Sequence, residues 1–195
     1  MAMRKKNGFT LVELMVAMAI VVVAFGLVTY LYTRAAKIRK IVVVNNEVQQ
    51  ALSQIMDILT YGDKAHWGII HSTGLNDVTQ YDTYISLKNA TDTMDVNINS
   101  SGNIVVNWTG STPVSITLNI DEKVAVITDI PYRSSFRYFD LMGNEIPQPI
   151  TSQSDRDKVS FVNITLWARS TDPSFKLAEP VPLVTGVKLS NKPSF

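Results

Sequence analysis

The sequence predicts an α+β protein. A long N-terminal helix has a transmembrane first half, and its second half packs on an antiparallel β-sheet head of one or two sheets. Three observations carry this. Residues 9 to 30 form an apolar run broken by one carboxylate, Glu13. Apolar residues then recur at three- and four-residue steps as far as Leu59. From Tyr81 the period changes to two, punctuated by turns rich in Gly, Asn and Pro.

The apolar run comes first in the chain. Arg4, Lys5 and Lys6 precede Gly8, and the run opens at Phe9. A bilayer core is about 30 Å thick and a helix rises about 1.5 Å per residue, so residues 9 to 30 suffice to span it. A conventional secretory signal would end in small residues at a cleavage point, but here Arg34 and Lys37 follow the run. Cations flank both sides, so charge alone does not set the orientation. Glu13 is the anomaly, because a carboxylate inside a spanning helix is costly and calls for a partner.

Lys6-Asn7-Gly8-Phe9-Thr10-Leu11-Val12-Glu13 resembles the processing site of type IV prepilins and type II secretion pseudopilins. The resemblance is strongest over residues 4 to 33. It implies a pilin-like fold, cleavage by a prepilin peptidase between Gly8 and Phe9, and N-methylation of Phe9. It implies that the basic leader residues Arg4, Lys5 and Lys6 lie in the cytoplasm and the head in the periplasm. The partners it implies are other pilin or pseudopilin subunits, the peptidase and an inner-membrane assembly platform. The chain lacks the proline that many pilins carry in the first half of this helix, and the C-terminal disulfide loop of many relatives is ruled out by the absence of cysteine.

Cleavage after Gly8 would give Glu13 a reason to exist. Phe9 would then carry an α-amino group with a pKa near 8, mostly cationic at neutral pH. A buried carboxylate needs a cation or hydrogen-bond donors. Its own terminus is awkward for Glu13 to reach, whereas a neighbouring subunit's terminus is available and would fix the axial offset between helices. The rival is an ordinary anchor with Glu13 snorkelling to the headgroups, which leaves the leader, Gly8 and Phe9 unexplained.

Beyond the membrane the helix continues. Ile38, Ile41, Val42, Val48, Leu52, Ile55, Met56 and Leu59 line one face, and Lys37, Lys40, Glu47, Gln50 and Gln54 the other. No proline interrupts residues 10 to 60, and Tyr61-Gly62-Asp63 is the stop. The expected organisation is a cleaved leader at 1–8, a transmembrane half-helix at 9–33, an amphipathic half at 34–61 and a β-rich head at 62–195.

Residues 62 to 81 read as a connector containing His66 and His71, which are too far apart and too isolated to suggest metal ligands. Strands follow at 83–87, at 93–99 and, after the turn Ser100-Ser101-Gly102-Asn103, at 104–108. Residues 114–120 and 124–127 read as a hairpin around Asp121-Glu122-Lys123, and residues 136–140 as a strand turning at Gly143. Residues 146–158 read as a loop, 159–168 as the strongest strand and 183–189 as the last. The pattern from 136 to 189 resembles the C-terminal part of J-type minor pilins.

The sequence excludes the usual enzyme signatures: there is no Gly-rich phosphate loop, no His-Glu-x-x-His and no Gly-x-Ser-x-Gly. Neither a catalytic residue nor a cofactor is expected. The oxygen-rich stretches at 92–107 and 140–145 read as strand faces and a turn rather than calcium loops, so no metal is expected. A formal net charge of +1 gives no electrostatic case for nucleic acid. Arg133 and Arg137 beside Tyr132 and Tyr138 are the best such patch, and they read as strand-face residues. The expected function is a minor pilin or pseudopilin subunit near a filament tip, acting in initiation. The alternative is a single-pass, membrane-anchored β-rich binding protein, serving DNA uptake or adhesion without filament assembly.

Overall fold

The structure is a computed structural model that describes residues 10–90, 92–110, 114–118, 124–171 and 179–190. Helix α1 runs Leu11–Tyr61, matching the predicted span of about 10 to 60. The chain divides into two compact units, Met1–Val43 and Val44–Phe195.

In the first unit the apolar side chains of α1 are exposed on every side; Leu11, Val22, Phe25 and Tyr32 are typical. Among the described residues, α1 is the one helix long and apolar enough to cross a membrane, with a mean hydropathy of 2.7 over its most apolar window.

In the second unit α1 turns one face to a core. Val48, Leu52, Ile55, Met56 and Leu59 are buried together with residues of both sheets. The helix stops because Gly62 adopts φ +87°, where a Cβ would collide with the His66 carbonyl oxygen. Most of the stabilisation of this half comes from its buried face rather than from helix propensity.

The first sheet is antiparallel, with strand order β1-β2-β3-β4-β5: β1 Gly74–Leu75, β2 Tyr84–Asn89, β3 Asp92–Ile98, β4 Ile104–Thr109 and β5 Val114–Leu118. The period of two sets its inner face. Ile85, Leu87, Met94, Val96, Ile104 and Val106 are fully buried, while their neighbours in sequence are more exposed, except Ser86, which is buried between Ile85 and Leu87. The β3–β4 turn places Gly102 at φ +77°, and the Asn99 side chain accepts from the Ser101 and Asn103 N–H groups.

The second sheet has the order β10-β9-β7-β8, formed by β7 Ser135–Phe139, β8 Glu145–Ile146, β9 Phe161–Ser170 and β10 Val181–Lys188. Strand β6, Val124–Val126, also joins it. The expected hairpin of residues 114–120 with 124–127 does not form. Val124, Ala125 and Val126 pair with Ser170, Arg169 and Ala168 of β9 instead. The physical reason is an open edge. β7 pairs only with residues 161 to 165 of the ten-residue β9, so the far end of β9 has unpaired N–H and C=O groups that β6 satisfies. The turn residues Asp121, Glu122 and Lys123 of that expected hairpin lie outside the described residues.

Two segments carry more structure than expected. The connector at 62–81 holds a 3-10 turn, Ile69–His71, as well as β1. The expected loop at 146–158 holds a short helix, α2 Gln153–Lys158, capped by Ser152, which accepts from the Asp155 N–H.

Candidate functional site

The site begins at the first turn of α1. Thr10 stands immediately before the helix, and its carbonyl accepts the first helical hydrogen bond, from the Leu14 N–H at 3.2 Å. The Thr10 hydroxyl accepts from the Glu13 N–H at 3.2 Å. In return, Glu13 Oε2 accepts from the Thr10 N–H at 2.9 Å and from the Thr10 hydroxyl at 3.0 Å. This is a reciprocal capping box: each side chain satisfies a backbone donor that the helix start leaves free. The negative charge also lies at the positive end of the helix dipole.

Sequence reasoning did not identify the box, although Thr10-Leu11-Val12-Glu13 carries its signature, a Thr followed three residues later by Glu. The carboxylate holds the N–H of Thr10, the residue next to Phe9 in sequence. Both donors reach Oε2, so Oε1 has no hydrogen bond among the described residues. Arg4, Lys5, Lys6, Gly8 and Phe9 lie outside the described residues.

The other candidates resolve into structural roles. His66 Nδ1 lies 2.9 Å from Asp63 Oδ1, and the imidazole stacks on Trp108 with ring centroids 4.6 Å apart. Asp140 closes the β7–β8 turn. Its carboxylate accepts from the Met142 and Asn144 N–H groups at 2.9 and 2.8 Å and from Asn144 Nδ2 at 2.9 Å, and Gly143 has φ +84° as expected. Hydrogen bonds from the Asn144 side chain and backbone hold the Asp140 pKa below its ordinary 3.8. Arg133 and Arg137 line one cleft, but they do not form a basic patch with exposed tyrosines. Arg133 pairs with Asp82 at 2.9 Å, Arg137 lies 3.6 Å from Glu145, and Tyr138 is fully buried.

An apolar N-terminal helix, a capped acidic first turn and a two-sheet head define a pilin-like α+β architecture with a membrane-anchoring helix. Residues 3–29 match the family model described as the prokaryotic N-terminal methylation motif. The match supports the type IV prepilin and pseudopilin family, and it points to a processed structural subunit rather than an enzyme. It implies processing by a prepilin peptidase and assembly with other pilin-type subunits. No curated protein and no solved structure matches the chain.

Proposed function

We propose that the chain is a minor subunit of a type IV pilus or of a type II secretion pseudopilus. It is cut between Gly8 and Phe9, methylated on Phe9, and assembled through α1 close to the filament tip, where it helps to initiate assembly. The leader with Arg4, Lys5 and Lys6 stays cytoplasmic until cleavage, the helix crosses the inner membrane once, and the head lies in the periplasm. The observation that carries this reading is the methylation motif on a helix whose large apolar side chains, from Leu11 to Val43, are exposed among the described residues. An apolar surface of that kind serves in lipid first and then among other helices of the same type. Glu13 Oε1, which has no hydrogen bond among the described residues, would meet the α-amino group of a subunit above it, and this supports a position below or within the tip rather than at its end.

One observation favours a second reading. The Thr10–Glu13 box gives Glu13 a partner inside a single chain, as a plain membrane anchor would need. Filaments sheared from cells making Glu13→Gln separate the two readings. Gln keeps an acceptor for the box but loses the charge, so the assembly reading expects normal insertion and loss from filaments. Normal incorporation would favour the anchor.

A further inference from the structure

The outer face of the second sheet carries a cleft of about 570 Å³, within the range of small-ligand sites. β9 forms its floor. Its even-numbered residues from Val162 to Ala168 are buried, so Asn163, Thr165 and Trp167 face outward. In register, Ser135 lies beside Thr165 and Arg137 beside Asn163 on β7, while on β10 Gly186 lies beside Asn163. A Cβ at Gly186 would meet nothing within 4 Å, so the sheet has an open notch next to the Asn163 amide. Pro131 and Trp167 close one end, where Trp167 packs on Tyr132 with ring centroids 5.0 Å apart.

Three properties select the ligand. The charges of the cleft are matched internally, Arg133 with Asp82 and Arg137 with Glu145, so no net charge is left to attract an ion. The backbone of β9 is paired with β10 on one side and with β7 and β6 on the other, so the floor of the cleft offers no free edge to an extended peptide. What remains is a set of amides and hydroxyls (Asn163, Gln148, Thr165, Ser135) beside an amphipathic ring, Trp167. Asn163 Oδ1 is moreover buried with no hydrogen-bond partner among the described residues, a departure from the usual satisfaction of buried polar groups.

We propose that this cleft binds a neutral saccharide. A sugar presents hydroxyls, each both donor and acceptor, to the amides and hydroxyls of the floor, and it presents C–H surface to the Trp167 ring.

The test is saturation-transfer NMR on the full chain in detergent, with maltotriose and chitotriose as probes. Trialanine and sialyllactose stand for the peptide and anionic classes. The expected result is signal from at least one neutral trisaccharide, weakened about tenfold or more in apparent affinity by Trp167→Ala. Asn163→Leu, matched in heavy-atom branching at a partly buried strand position, should weaken it as well if Trp167→Ala fails to fold. Met142→Ala, at an exposed turn position that does not line the cleft, should leave it unchanged. Absence of signal from both neutral sugars, or binding that survives Asn163→Leu and a folded Trp167→Ala, overturns the proposal. Preferential binding of trialanine or sialyllactose overturns the ligand class.

Discussion

Glu13 and Thr10 hold each other through three hydrogen bonds, two of them ending on a single carboxylate oxygen. The only carboxylate of the apolar run therefore has a structural duty before any second subunit arrives. Its negative charge is not required for that duty, since an amide oxygen accepts the same bonds.

The two duties separate by substitution. Glu13→Gln should leave insertion and processing intact while removing the subunit from filaments. Thr10→Ala should destabilise the start of the helix by about 1 kcal/mol and leave the charge in place. If membrane-fraction blots show that Glu13→Gln fails to insert, the residue serves the anchor and not the assembly.

The head should fold without the membrane span. Core burial in α1 begins at Val48, so a chain starting at Ala36 keeps the whole buried face. It should be soluble and monomeric by sedimentation. A chain starting at Ile58 loses Val48, Leu52, Ile55 and Met56 from the core and should aggregate. A well-behaved fragment from Ile58 would mean that the helix does not belong to the core.

Within the fragment that starts at Ala36, Leu52→Ala should cost about 2–5 kcal/mol in urea unfolding, because Leu52 is fully buried. Tyr138→Phe should cost about 1–2 kcal/mol. The Tyr138 hydroxyl donates toward the carbonyls of Tyr81 and Tyr84, at 3.1 and 3.2 Å, and the substitution leaves those acceptors less satisfied. Burial pushes its pKa well above 10, so it stays protonated at all working pH values.

Acid should loosen the β7–β8 turn. The folded state holds Asp140 ionised below its ordinary 3.8, so its contribution is fully present above that value and is lost as pH falls through the lower, folded-state pKa. Hydrogen exchange at Asn144 should rise over that window in the native fragment, and the rise should be absent in Asp140→Asn. Equal acid sensitivity in both would remove the turn from the account.

Much of the fold was legible because local pattern and packing agree. The spacing from Val48 to Leu59 and the break at Gly62 bound the helix, and the alternation across Gly102 fixed the β3–β4 hairpin. The partner of β6 was not legible, since three residues carry no register of their own and a gap on β9 decided it. Helix α2 is too short for a periodic signal. The capping box was legible and was masked by the charge of Glu13. The cleft was not, because Tyr132 and Trp167 meet only through tertiary structure.

The central claim, that this is a processed pilin-type subunit, meets its most direct test in the intact mass of the protein purified from membranes of its native host. The account predicts a chain that begins at Phe9 and carries one added methyl group on its terminal nitrogen. A chain that retains residues 1 to 8 would contradict it.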